Sequence, residues 1–384
     1  MKNYQPDLVF ETVTYEYITK VKRNPPGLGA MPYDEEAFRT TDIGRRRDEL
    51  LAPFSVYADA PMHPDLLRYW AGKGLRKELY DSEDRTGFDA PYAYSVFTPL
   101  DMDPGKKYAL IYFSHGGGQS IEWAEHYGFN TLAAREKYIV VYAQNGGRSN
   151  NASEREFGRI MQKLLEKGYP VDRERVYSAG FSSGSEAAAR IAAAYPETVA
   201  AVACMPDGIP FKYLAFDSAD DTMVRLRQYR MPGIFIGGTV DIGAFPAAWA
   251  AEYAGSELGV GTVENAVASL NAWMRDIAKI RDFQPLSYAG VTEKLKASPD
   301  PVEREFGLTF DRQSAFHVQG VDWLGGEYYG SDGAPVMRMA RAKGVPHMVW
   351  ESQAGLVWDY LKHFRRDTVT GASMYDPVVC WGER

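Results

Sequence analysis

Gly180-Phe181-Ser182-Ser183-Gly184 sets a serine between two glycines in the pattern G-x-S-x-G. A serine hydroxyl attacks a carbonyl only when it projects from a tight turn and a base takes its proton. The flanking sequence suits that demand: VDRERVYSAG reads as a strand and SSGSEAAARIAAAYP as an alanine-rich helix. A plain Gly/Ser turn capping a helix would look similar, but the strand-to-helix context favours Ser182 as a nucleophile. A second signal is His115-Gly116-Gly117-Gly118, directly after the apolar run KYALIYFS. Acyl transfer develops an oxyanion, and fixed backbone N–H groups stabilise it. The amides of Gly117 and Ser183 are the expected donors, with His115 holding the loop by hydrogen bonding rather than acting as base.

The base should come late in the chain, because strand-to-helix serine turns of this kind run in the order nucleophile, acid, base. Of the six histidines, His347 in KGVPHMVWES lies in a loop before the last helix. His317, at the head of a strand-like run, is the rival, and His363 falls within DYLKHFRR, read as helix. For the acid, Asp241 ends the buried run GIFIGGTVD at the carboxyl end of a strand, where open α/β sheets place their sites. Asp207, in CMPDGIP, is the alternative, although aspartate before glycine is a common turn residue. Trp123 and Trp323, with Tyr328 and Tyr329, are candidate substrate-binding walls.

These residues need a scaffold. From about residue 91, apolar strands alternate with helical stretches, which indicates βαβ units and a mostly parallel sheet covered on both faces. The expected fold is an α/β/α three-layer sandwich over 91–384, with residues 1–90 as an extension packed on it and 256–335 as a cap or insertion. In the extension, FETVTYEYITKVK reads as strand and HPDLLRYWAGKGLRKELY as helix. HVQGVDWLGGEYYGSDGAPVMRMARAKGVPHM reads as two strands joined by an aromatic, glycine-rich loop, and SQAGLVWDYLKHFRRD as the final helix.

Composition narrows the function classes. The chain has 384 residues and a formal net charge of -8, which disfavours nucleic acid as a partner. No histidine/carboxylate spacing fits a metal, and no glycine-rich stretch has the context of a nucleotide loop, so no cofactor is expected. Two cysteines, Cys204 and Cys380, imply no disulfide framework, and Cys204 sits in the apolar run VAAVACM. MKNYQPDLVFETVTYEY lacks the apolar core of a secretory signal, and no apolar run approaches the roughly 18 residues of a membrane span. A cytoplasmic location is the expectation.

Together, HGGGQS, NTLAAREKYIVVYAQN, VDRERVYSAGFSSGSEAA and GGTVD resemble the polyhydroxybutyrate depolymerase and feruloyl-esterase-like branch of the α/β-hydrolases. The resemblance runs over roughly residues 95–250 and takes in GVPHMVW and the last helix. It implies a Ser182–Asp241–His347 triad, an oxyanion hole at the HGGG loop, no cofactor and small-molecule ester substrates. Gly117 stands where many members carry cysteine, and the extension and the long segment before His347 differ from the compact secreted members. Soluble acyl or aryl esters therefore suit the chain better than a polymer. The alternatives are a peptidase or amidase using the same residues, or a binding protein that retains the fold.

Overall fold

The structure is a computed structural model describing residues 2–3, 15–17, 62–80, 94–116, 121–143, 152–205, 221–239, 241, 263–318, 321–345 and 347–377. Six parallel strands form its centre: β5 (Tyr108–Ser114), β6 (Ile139–Ala143), β7 (Val171–Phe181), β8 (Val199–Met205), β9 (Gly233–Gly238) and β12 (Met337–Ala342). β5, β6, β8 and β9 are buried at every position. Such continuous burial requires cover on both faces, which is why these runs carry Val, Ile, Ala and Phe without alternation. Five of the helices form two packed groups. The first is α4 (Ala152–Glu166), α5 (Ser183–Ala194) and α6 (Asp221–Leu226); the second pairs α3 (Phe129–Glu136) with the last helix, α10 (Glu351–Leu361).

Further strands, each antiparallel to its inner neighbour except the outermost β1, widen the sheet at both edges to 11 among the described residues, in the order β1-β10-β11-β12-β9-β8-β7-β5-β6-β4-β3. On one side stand β4 (Tyr94–Pro99) and β3 (Leu75–Tyr80). The extension thus supplies an edge strand where helix was expected. Helix α1 (Pro64–Gly72) stops after two turns because Gly74 takes φ +81°, and LRKELY leaves it extended to pair with β4. On the other side stand β11 (Val321–Tyr328), β10 (Arg312–Val318) and the two-residue β1 (Lys2–Asn3).

Residues 312–328 were expected within a cap, and the sheet takes them in instead; GGEY continues β11, and the connection to β12 begins at Tyr329. The two glycines of β11 are strand residues kept small by close neighbours. A Cβ on Gly326 would enter the Phe310 ring, and one on Gly325 would meet the Met339 carbonyl. The helical part of this stretch is α7 (Val263–Ala272), which runs on into a π-turn at Trp273–Ile277, then α8 (Tyr288–Ala297) and α9 (Pro301–Phe306).

Two small ladders complete the chain. β2 (Tyr15–Tyr17) pairs with β13 (Met348–Trp350), and β14 (Phe364–Arg366) with β15 (Ser373–Tyr375). His363 therefore lies just past α10, where its Nδ1–H donates to the Asp376 carbonyl at 2.7 Å. Among the described residues, no helix is long and apolar enough to cross a membrane.

Candidate active site

Ser182 occupies the junction between β7 and α5 with φ +55° and ψ −121°. That region is costly for a residue with a Cβ, and it persists only when the surroundings fix it. Here they do. A Cβ on Gly180 would strike the Gly184 carbonyl, and a Cβ on Gly184 would strike the carbonyls of Ser114 and His115. Both glycines of the motif are thus required by backbone-to-backbone contact. The Ser182 N–H donates to Met205 O at 2.6 Å, and Ser185 N–H returns to Ser182 O at 2.9 Å. Although Ser182 holds the N-cap position of α5, its hydroxyl makes no capping bond. The hydroxyl is thereby left for chemistry.

Ser185, in the first turn of α5, has a task of its own. Its buried hydroxyl lies 3.0 Å from Gly180 O and 2.8 Å from Met205 O, and accepts from Met205 N at 2.9 Å. It ties the first turn of α5 to the ends of β7 and β8. Ser183 opens α5, where backbone N–H groups have no intrahelical acceptor.

The close approach of Gly184 to Ser114 and His115 brings the end of β5 beside the serine turn. His115 is buried there, and its Nδ1–H donates to Gly116 O at 2.8 Å. Burial lowers its pKa to about 4, so the ring stays neutral at pH 7. Gly117 lies outside the described residues, as do Asp207 and the Trp123 side chain.

Asp241 and His347 come together from the segments that follow β9 and β12, two parallel neighbours ending side by side. The His347 Nδ1–H donates to Asp241 Oδ1 at 2.9 Å; the carboxylate is 2% exposed and the imidazole 11%. With Nδ1 protonated, Nε2 is the acceptor on the far edge of the ring. Two contacts the sequence did not disclose set this meeting. Thr239 Oγ1 accepts from Gly344 N at 2.9 Å, and Thr239 N donates to Ala342 O at 2.9 Å. Gly238 lies against Val345, whose carbonyl a Cβ would strike. The small residue and the hydroxyl of GGTVD were the available signal. Phe181, just before Ser182, sets its ring 4.6 Å from the His347 ring at 34°, which places the imidazole beside the serine turn.

The other sequence candidates lie elsewhere. His317 also bonds an aspartate, Asp322, at 2.8 Å, but both are more than half exposed on the β10–β11 hairpin. Trp323 pairs with Ala342 at the carboxyl end of β12 but is 1% exposed, stacked on Phe316 at 5.8 Å; it belongs to the core rather than an open wall. Tyr328 pairs with Met337, which pairs with Gly233 at the opposite end of β9 from Asp241. The antiparallel course of β11 thus carries Tyr328 and Tyr329 away from the site. Cys204 is buried, its thiol 3.7 Å from Ser185 O, and Cys380 lies outside the described residues. Among the described residues, no group of three or more His, Cys, Asp or Glu could hold a metal ion.

A mostly parallel sheet with a serine on the strained turn after a central strand is the architecture of the α/β-hydrolases. Residues 94–283 match the family described as Esterase PHB depolymerase, and the protein is a carboxylic ester hydrolase. No curated protein matches the chain. Among solved structures, an acetyl xylan esterase from Aspergillus awamori is 13% identical, covering 74% of this chain and 99% of that one at a TM-score of 0.45. A feruloyl esterase module from Clostridium thermocellum complexed with sinapinate is 16% identical, covering 75% and 86% at 0.39. A ferulic acid esterase is 18% identical, covering 53% and 86% at 0.36.

Proposed function

We propose that the protein cleaves carboxylic esters through an acyl-enzyme on Ser182, with His347 as general base and Asp241 as the acid that orients it. The observation that carries this reading is the buried Asp241–His347 hydrogen bond of 2.9 Å beside a serine held at positive φ with its hydroxyl uncommitted to a cap. Ser182 Oγ attacks the ester carbonyl as His347 Nε2 takes its proton. The developing imidazolium is stabilised by the Asp241 carboxylate at Nδ1. The amides of Ser183 and Gly117 receive the oxyanion, each worth a few kcal/mol in such a site. His347 then protonates the departing alcohol, the Ser182 ester is hydrolysed by water along the same route, and the acid leaves.

The proposed catalytic domain is 91–384, with residues 1–90 packed on it. The substrate class is soluble acyl or aryl esters, hydroxycinnamoyl esters included, or hydroxyalkanoate oligomers; no metal or other cofactor enters the reaction. Intact-mass analysis after fluorophosphonate treatment tests the nucleophile. One adduct on the wild type and none on Ser182→Ala is expected, and an unlabelled, folded wild type would refute it. Asp241→Asn should leave the fold intact and lower kcat on a p-nitrophenyl ester about 10⁴-fold, by presenting the wrong imidazole tautomer. Retained turnover in that variant would remove Asp241 from the mechanism.

A further inference from the structure

The imidazole of His347 is fixed by Asp241 at one nitrogen, but a single hydrogen bond leaves a ring free to rock about it. The face of the ring is occupied by Phe181, at 4.6 Å between centroids and 34° between planes. Phe181 is 1% exposed and is itself backed by Tyr127, edge-on at 5.6 Å and 75°. Tyr127 has Phe113 of β5 at 5.5 Å, and Phe113 has Phe129 at 5.0 Å. A continuous aromatic stack therefore runs from the core to the candidate base.

The segment bearing Tyr127 is anchored with unusual firmness. Glu125 Oε2 lies 2.7 Å from Lys77 Nζ, with the two side chains 1% and 0% exposed, and Ser95 Oγ donates to Glu125 Oε1 at 2.8 Å. The Glu125 carbonyl accepts from Asn130 Nδ2 at 2.9 Å, and Asn130 Oδ1 accepts from the Tyr142 hydroxyl at 3.0 Å. A buried ion pair adds little to stability over an apolar pair of the same volume, because desolvation offsets the attraction. What it supplies is fixed geometry, and the residue it fixes stands two places from Tyr127.

We propose that Phe181, the variable residue before the serine of the motif, is a positioning residue for His347, held in place by Tyr127 and the Lys77–Glu125–Ser95 anchor. It acts in two ways. The ring limits rotation of the imidazole about its bond to Asp241, and its π-face favours the imidazolium that forms as Ser182 loses its proton. The inference rests on His347 being the general base. Asp241 is the titratable group bonded to that ring.

Steady-state kinetics on a p-nitrophenyl ester, with kcat/KM measured against pH, test it in Phe181→Leu, Phe181→Tyr and His347→Ala. His347→Ala should abolish turnover; if it retains turnover, the reading of the base fails and the inference with it. With His347→Ala inactive, Phe181→Leu should lower kcat about five- to tenfold and leave KM within about twofold. Its acidic limb should move down by roughly half a pH unit, as the imidazolium loses the ring face. Phe181→Tyr, which restores the ring, should return both values towards wild type. Phe181→Met carries the same expectation as Phe181→Leu should the latter not fold. Wild-type kcat and an unmoved acidic limb in a folded ring-less variant would overturn the proposal while leaving the base in place.

Discussion

Lowering the pH from 7 to 5 should destabilise the protein through two histidines that the catalytic chemistry does not use as bases. His115 and His126 are each 4% exposed, and burial lowers their pKa values to about 4 and about 3. At His126 the nearby Lys77 ammonium adds to the effect of burial. Both values lie below the 6.5 of an unfolded histidine. The unfolded chain therefore takes up protons first, so the stability these rings contribute is fully present above pH 6.5 and is lost as pH falls towards the folded values. At 1.36 kcal/mol per pH unit, each ring costs about 2 kcal/mol at pH 5, about 4 kcal/mol together. Glu125, whose pKa burial raises, works in the opposite sense, so the wild-type slope alone is not diagnostic. His126→Phe isolates the effect, because the replacement keeps a flat ring stacked on Trp70, from which His126 stands 5.8 Å at 6°. Urea unfolding at pH 7 and pH 5 should show the variant losing about 2 kcal/mol less than wild type across that interval. Equal losses in the two proteins would refute a neutral, buried His126.

Two further substitutions probe the frame. Gly184→Ala drives a Cβ into the carbonyls of Ser114 and His115, and neither strand end can yield cheaply. It should cost about 1–3 kcal/mol in urea unfolding and suppress turnover in the folded fraction; wild-type stability and activity would refute the close approach. Lys77→Met leaves the Glu125 carboxylate buried without its ammonium and should cost about 3–5 kcal/mol, while Lys77→Met with Glu125→Gln should recover most of that loss. A double variant no more stable than the single one would contradict a buried ion pair.

The parts of the molecule legible in the sequence were those where local pattern and tertiary role coincide. β5, β8 and β9 are apolar throughout because they are covered on both faces, and the glycines around Ser182 follow from contacts within a single strand–turn–helix unit. Asp241 was picked out at a strand end and His347 in the loop before the last helix, and the two side chains stand 2.9 Å apart. Elements whose state depends on distant partners were misread. LRKELY has the composition of a helix end yet becomes an edge strand because β4 offers it a ladder. GGEY looks like the start of a loop yet runs as strand because β10 and β12 pair with it on either side, and the Phe310 ring keeps Gly326 bare. Tyr328 and Tyr329 were grouped with the site on composition, whereas strand direction, which composition does not encode, carries them to the other end of the sheet.

The pairing of β2 with β13 bears on when activity can first arise. Tyr17 stands opposite Met348, the residue after the candidate base, so two segments far apart in the sequence are joined. Closing a loop of that length carries a large entropic cost before any contact rewards it. During synthesis, Ser182 and its turn have their strand partners from β5 and β8 well before His347 leaves the ribosome. The hydrolase scaffold can therefore be in place while the base is still unmade, and catalytic competence follows only once the two segments have met.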